Sequence, residues 1–197
     1  MMHIAHRTTQ PRLIIFTAPS GAGKTTIVHR LLALDKRLAF SVSATTRKKR
    51  EKETEGRHYY FLPEAEFRDK VKKGEFIEWE EVYPGIFYGT LVSEVEKLTN
   101  EGKAIVFDID VKGALHIKQR YGARALAIFV RPPSVDTLRE RLRKRNSEND
   151  ESLTKRLEKA EYELSFESRF DKVLVNDDLE KAVDEARQII GRFLDLP

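Results

Sequence analysis

The residues best suited to chemistry are Ala18-Pro19-Ser20-Gly21-Ala22-Gly23-Lys24-Thr25. Their spacing fits the phosphate-loop pattern G-x-x-x-x-G-K-[ST], in which small side chains let main-chain N–H groups point at a phosphate beside a helix N-terminus. Lys24 adds a point charge there, and the Thr25 hydroxyl is a ligand for Mg²⁺. Ala18 stands where the pattern has its first glycine, and it is small enough for the place. A second donor group is Asp108-Ile109-Asp110, after the apolar run Ala104-Ile105-Val106-Phe107. A carboxylate at the C-terminal end of such a strand, in a chain with a phosphate loop, is where Mg²⁺ is positioned. The third group is cationic: Arg139, Arg141, Arg143 and Arg145, with Arg156 beyond the polar segment 146–151. Arg141 and Arg145 share a helical face; with Arg156 they fit a phosphate role, because phosphoryl transfer needs cations around the equatorial oxygens. Arg139 and Arg143 read as exposed partners of Glu140.

The elements that must carry these groups alternate along the chain. An apolar run at 13–16 precedes the phosphate loop, and Ile27, Val28, Leu31 and Leu32 mark an amphipathic helix after it. Residues 40–45 alternate like a half-buried strand, followed by the basic run Thr46-Arg47-Lys48-Lys49-Arg50. A strand at 59–61, a helix over 63–73 with Gly74 beyond it, and strands 76–79 and 87–90 joined across Pro84-Gly85 come next. Ser93 and Glu96 read as a capping box opening a helix that runs to about Gly102. The spacing then predicts a buried strand at 104–107, a helix at 111–120, a strand at 125–130, a helix from Ser134, a strand at 172–175 and a last helix with Leu179, Val183, Ala186, Ile190 and Phe193 on one face. Strands alternating with helices imply an α/β fold, a doubly wound parallel sheet with ligands at the C-terminal ends of the strands. The mixed stretch 39–92 reads as a small insertion leaning on that sheet.

With 197 residues, 40% of them hydrophobic and 35% charged, the chain has the composition of one folded domain. Absence of cysteine excludes disulfides, thiolate metal sites and a cysteine nucleophile. A net charge of +4 fits either nucleic acid or phosphorylated substrates. No apolar run approaches the length of a membrane span and the N-terminus has no hydrophobic signal core, so the expected location is the cytoplasm. Residues 1–10 read as a loose arm, whose His3 and His6 are not taken for a metal site.

The chain resembles the guanylate kinase family from about Arg12 to Phe193. The resemblance is carried, in order, by the phosphate loop, Ser41-Val42-Ser43-Ala44-Thr45-Thr46-Arg47, Phe76-Ile77-Glu78-Trp79, Tyr88-Gly89-Thr90, Asp108-Ile109-Asp110 and Val175-Asn176-Asp177-Asp178. It implies a P-loop kinase that phosphorylates GMP, and dGMP as well, from ATP with Mg²⁺; neither nucleic acid nor a membrane is an implied partner. By resemblance Ser43, Glu78 and Thr90 meet the guanine, Arg47, Arg50, Tyr59 and Tyr88 hold the GMP phosphate, and Asp110 lies beside the acceptor. Asp108 lies near Mg²⁺ with Thr25. The ATP side takes Ser20, Gly21, Ala22, Gly23, Lys24, Thr25 and Thr26, with Arg141, Arg145 and Arg156 on the phosphates and Asn176 near the adenine. Three parts are implied: a core (11–38, 93–142 and 158–197), a GMP-binding insertion (39–92) and a lid (143–157). Lys49 and Lys52 replace a proline and a glycine usual in the family, which leaves the placement of Arg50 open, whereas Thr90 in place of serine keeps the hydroxyl.

The chemistry follows from the substrates. A nucleoside monophosphate presents an oxygen already anionic at neutral pH, so no general base is needed and none of the five histidines is required. Glu78 lies between Ile77 and Trp79, where strand alternation sends it to the opposite face from both. Three rivals compete. A non-catalytic domain of the same family that binds phosphorylated peptides would not need Lys24, Thr25, Asp108, Arg141 and Arg156. A kinase of another nucleoside monophosphate or sugar phosphate would differ in its acceptor. A nucleic-acid binder would show steep salt dependence.

Overall fold

The computed structural model describes residues 10–145 and 150–195. In chain order the elements are β1 (Leu13–Thr17), α1 (Lys24–Leu34), β2 (Leu38–Phe40), β3 (Ala44–Thr45), β4 (Tyr60–Phe61), α2 (Glu64–Lys72), β5 (Phe76–Tyr83) and β6 (Ile86–Leu91). They continue as α3 (Val92–Asn100), β7 (Ala104–Asp108), α4 (Val111–Tyr121), β8 (Ala125–Arg131), α5 (Val135–Arg145), α6 (Asp150–Leu164), β9 (Lys172–Val175) and α7 (Leu179–Leu194).

Five strands form a parallel sheet in the order β2-β7-β1-β8-β9. Their near-continuous apolar sequences reflect burial on both faces, as a parallel sheet requires. Ile14 and Phe16 of β1 join Val106 and Ile128 in one cluster under Ile27 and Leu31 of α1 and Ala186 and Ile190 of α7. Leu13 and Ile15 face the other way, with Ile105, Phe107 and Ala127 under Val95 and Leu98 of α3 and Ile117 of α4. The register Phe16↔Asp108 sets Asp108 beside the end of β1, where the chain leaves for the phosphate loop. Among the described residues no helix is long and apolar enough to cross a membrane.

A second sheet, in the order β4-β3-β6-β5, encloses its own small core of Ala44, Phe67, Phe76 and Phe87, with the Phe67 and Phe76 rings stacked at 4.4 Å. It rests on the main body through Ile77, which belongs to the α3–α4 side of the large core. Trp79, two residues along β5, is turned outward at 42% exposure and packs on Phe87, with ring centroids 6.2 Å apart.

Two expectations need correction. The single strand over 40–45 is two strands in different sheets: Phe40 pairs with Val106, whereas Ala44 pairs with Gly89 and Tyr60. The break falls at Val42, whose N–H donates to the Glu94 carboxylate at 3.3 Å instead of a neighbouring strand. Glu94, buried on α3, also accepts from the Tyr60 hydroxyl at 2.9 Å and so fastens the crossing chain to the second sheet. The capping box at Ser93 is not formed. The Val92 N–H bonds to the Glu75 carbonyl at 2.9 Å, which starts α3 at Val92 and leaves Ser93 inside the helix without a capping hydrogen bond.

Candidate active site

The phosphate loop runs from the end of β1 to the start of α1, with Gly21 and Gly23 both in the left-handed region that favours glycine. Gly23 is doubly constrained, because a Cβ there would lie 2.2 Å from Asn176 Nδ2. Asn176 follows β9 and is buried; its main-chain N–H bonds to the Arg131 carbonyl at 2.8 Å, and its side-chain amide donates to the Ala22 carbonyl at 2.7 Å. Arg141 of α5 donates to the Asn176 carbonyl at 3.1 Å and reaches the Ala22 carbonyl at 3.5 Å. The loop is thus braced from elements more than a hundred residues away. Ala18 fits without strain, since among the described residues no non-glycine residue has positive φ.

At the start of α1, Lys24 Nζ forms an ion pair with Asp108 Oδ1 and donates to the Ile109 carbonyl at 3.2 Å. Thr25 Oγ1 donates to Asp108 Oδ2 at 2.7 Å. A hydroxyl and a carboxylate this close form a hard-oxygen set suited to Mg²⁺, which keeps several waters and takes only one or two protein carboxylates beside the substrate phosphates. Among the described residues no group of three or more acidic or histidine side chains is placed to hold a metal ion, and Mg²⁺ with a polyphosphate needs none.

Across a cavity of about 550 Å³ lies the second sheet. Glu78 of β5 is 7% exposed and points inward, opposite to Trp79 as alternation requires, although Ile77 is buried too because the main body covers that face. The β5–β6 register sets Glu78 opposite Thr90, whose Oγ1 donates to Glu78 Oε1 at 2.6 Å. Burial pushes the Glu78 carboxyl up to about 7, against the Thr90 hydrogen bond and with help from Asp110 and Glu80. Its other oxygen lies against α4, where a Cβ on Gly113 would stand 2.7 Å from Oε2. Asp110 caps α4 by accepting from the Lys112 and Gly113 N–H groups at 2.8 and 3.0 Å.

Arg47, Tyr59 and Tyr88 form one cluster. The Arg47 guanidinium donates to the Tyr88 hydroxyl at 3.2 Å and lies 5.3 Å from the centre of the Tyr59 ring, and the two tyrosines meet edge-on at 5.8 Å. Glu53 holds this arginine from behind at 3.0 and 2.7 Å, and that hydrogen bonding brings the Glu53 carboxyl down to about 2. The same carboxylate accepts from the Arg50 main-chain N–H at 2.7 Å, so Glu53 organises the loop despite Lys49 and Lys52. The Arg50 guanidinium itself is exposed and is not brought into the cluster.

The main cavity is lined by Ser20, Gly21, Gly23, Lys24, Thr25, Ser43, Tyr59, Glu78, Tyr88, Asp108, Asp110 and Arg156 from the expected set. A smaller cleft of about 280 Å³ on the outer side of the phosphate loop takes Thr26, Arg141 and Asn176 with Asp177. Ala22, Arg47 and Thr90 are not in these linings, but each bonds to a residue that is: Asn176, Tyr88 and Glu78 respectively. The side chain of Arg145 lies outside the described residues, as do residues 146–149 of the polar segment and the histidines of residues 1–9. Arg139 pairs with Asp136 at 2.9 Å, not with Glu140, because the i,i+3 geometry brings Asp136 to the same face. Site residues that escaped the sequence reading include Gly113, whose missing side chain makes room for Glu78, and Lys159 and Glu163 of α6, which line the main cavity. Glu163 could have been found from its spacing, seven residues after Arg156 and so on the same helical face.

A parallel sheet whose central strand runs into a braced phosphate loop, with a lysine, a hydroxyl and a carboxylate converging at its mouth, defines a P-loop nucleotide kinase. The family model for guanylate kinase matches residues 10–192. Guanylate kinase from Bacteroides fragilis is 50% identical over 189 residues, covering 96% of this chain and 93% of that protein. The Porphyromonas gingivalis guanylate kinase is 49% identical over 184 residues, covering 93% and 98%. Among solved structures, guanylate kinase from Anaplasma phagocytophilum superposes with a TM-score of 0.74 at 31% identity, over 92% of this chain and 85% of that one. The chain belongs to the guanylate kinase family.

Proposed function

We propose that this chain moves the γ-phosphoryl group of ATP directly onto the phosphate of GMP, in line and without a covalent intermediate, giving ADP and GDP. ATP-dependent phosphorylation of GMP is the activity of the family. The observation that carries the residue assignment is the meeting of two unlike half-sites across one cavity: Lys24, Thr25 and Asp108 on one wall, Glu78 with its Thr90 partner on the other. Lys24 and the loop N–H groups hold the donor phosphates, Arg141 and Arg156 approach from α5 and α6, and Arg145 is assigned to the same task. Ser20 to Thr26 line the donor path and Asn176 keeps the loop in shape next to the adenine cleft. Thr25, and Asp108 partly through water, would hold Mg²⁺, which neutralises phosphate charge when bound.

On the acceptor side Glu78, Thr90 and Ser43 read the guanine, Asp110 flanks it, and Arg47, Arg50, Tyr59 and Tyr88 take the phosphate, with Arg50 swinging in from solvent. These contacts read the base, so dGMP serves as an acceptor too. The chain divides its work among a core (11–38, 93–142, 158–197), the acceptor-binding sheet within 39–92 and a lid at 143–157, and closure of the last two excludes water as a rival acceptor. Its partners are these small molecules, not nucleic acid or a membrane, and its place is the cytoplasm, where ATP and GMP are found. An ADP-release assay across GMP, AMP, CMP and UMP tests the reading. GMP alone should support fast turnover; comparable rates with AMP would overturn it.

Two substitutions separate the half-sites. Arg47→Ala should weaken GMP binding by about 2–3 kcal/mol, the range for a lost charge-assisted contact, and leave ATP binding within about twofold. Titration calorimetry with each nucleotide decides, and equal losses for both would place Arg47 elsewhere. Gly113→Ala pushes a methyl group against Glu78 Oε2 and should weaken GMP binding by about tenfold, in the range of overpacking a tight site. Unchanged GMP affinity in that variant would show that Glu78 does not need its present position.

A further inference from the structure

Glu94 of α3 is a buried carboxylate, 4% exposed, that the functional reading leaves unused. Its two oxygens hold two separate segments: Oε1 accepts from the Val42 N–H at 3.3 Å, and Oε2 from the Tyr60 hydroxyl at 2.9 Å. Lys97, one turn along α3, places its ammonium 3.8 Å from Oε2. Burial and the bond to Glu94 push the Tyr60 phenol up to about 12, so it remains a donor at neutral pH. The helix that bears Glu94 is itself firmly seated. Val95 and Leu98 are packed in the large core, and the Glu75 carbonyl holds the Val92 N–H at 2.9 Å.

The two segments meet at Ser43, which lines the main cavity in the gap between β2, ending at Phe40, and β3, beginning at Ala44. Val42 precedes it, and the Ser43 carbonyl accepts from the Tyr60 N–H at 2.9 Å. Tyr60 thus grips Ser43 with its main chain and Glu94 with its side chain, while Glu94 also holds the residue before Ser43. A buried charge is costly, and a well-packed apolar side chain of similar volume is often as stable in its place. What the carboxylate adds here is a fixed geometry for the groups it bonds. We propose that Glu94 is a positioning residue for guanine recognition: together with Tyr60 it clamps the crossing chain to α3 and so holds Ser43 where the base meets it. The inference rests on the reading of Ser43 as a guanine contact. It requires hydrogen bonding at residue 94 and not a negative charge, because a glutamine can accept from the Val42 N–H and donate to the Tyr60 hydroxyl oxygen.

Glu94→Leu removes both bonds. It should raise KM for GMP by at least about fivefold, the range for one hydrogen bond made poorly, while KM for ATP stays within about twofold and kcat within about threefold. Glu94→Gln should stay within about twofold of wild type in all three constants. Tyr60→Phe keeps the Val42 bond and the packing of the ring; it should raise KM for GMP by about threefold and carries the test if the leucine variant does not fold. In a Ser43→Ala background the Glu94→Leu effect should shrink below about twofold, because a residue acting through another has nothing left to act on. The proposal is overturned by an unchanged KM for GMP in Glu94→Leu or Tyr60→Phe, by equal rises for GMP and ATP, by a glutamine variant as impaired as leucine, or by a full Glu94→Leu effect in the Ser43→Ala background. Ser43→Ala alone tests the underlying reading and should raise KM for GMP by about fivefold. A wild-type KM there would overturn that reading, whereas a raised KM beside a normal Glu94→Leu overturns only the role of Glu94.

Discussion

Glu78→Gln should lower kcat/KM for GMP by at least about a hundredfold and narrow the preference for GMP over AMP, a loss typical of a polar site that leaves buried groups unpaired. Guanine offers a ring N–H and an amino group side by side, and one carboxylate accepts from both. Adenine sets a ring lone pair against that charge. The Thr90 hydroxyl donates to Oε1 at 2.6 Å, which orients the carboxylate and leaves acceptor capacity facing the cavity. Glutamine has the same shape but turns an N–H₂ toward guanine's own donors. If the variant prefers GMP as strongly as wild type, Glu78 is not the reader of the base. The same carboxyl makes a pH prediction. Without substrate it is pushed up to about 7, and guanine binds the deprotonated form. The kcat/KM for GMP should therefore rise from pH 5.5 toward neutrality and level off above about 7, and Glu78→Gln should remove the rise. Stability runs the other way. Between the ordinary carboxyl value and about 7 the folded chain holds a proton that the unfolded chain has released, so the Glu78 contribution to stability falls as pH rises through that window. Denaturant melts at pH 5 and pH 8 for both proteins should show that dependence diminished in the variant.

Lys24→Met should reduce kcat by about three to four orders of magnitude, the usual cost of deleting a preorganised charge that meets the transition state in a water-poor site. Lys24 and Asp108 are mostly buried, with side-chain exposures of 16% and 13%, so solvent does not replace the lost charge. GMP affinity should remain within about threefold, because the proposed acceptor contacts, Asp110 apart, belong to the second sheet and its loops. Turnover within tenfold of wild type would mean that the loop does not hold the donor.

The parts of the site legible in the sequence are those that a contiguous pattern encodes. The phosphate loop has its spacing, Asp108 ends an apolar strand, and Glu78 follows from alternation in a short run. What escaped depends on contacts between distant segments. The family resemblance names Asn176 but not its brace on Ala22 across 154 residues, and no local pattern at either end reports that contact. Gly113 matters only because β5 brings Glu78 against α4. The strand over 40–45 looked continuous because alternation persists through 41–43, yet Glu94 captures the Val42 N–H and ends the ladder there. Ser93 had the side chain of a cap, but the carbonyl of Glu75 fixed the first turn of α3 elsewhere. Arg50 sits in a loop whose shape is set by Glu53, a long-range detail that a basic run cannot carry.

The outward turn of Trp79 gives the native protein a built-in optical probe. It is the only tryptophan in the chain and stands one residue from Glu78 with its ring on the far side of the strand. In the proposed binding mode the guanine meets Glu78 on the inner face, so the indole is turned away from it. Any change in its colour or in its accessibility to acrylamide on adding GMP reports displacement of the β5–β6 hairpin itself. The proposed closure can thus be looked for by stopped flow on unlabelled protein, with ATP and GMP delivered in either order.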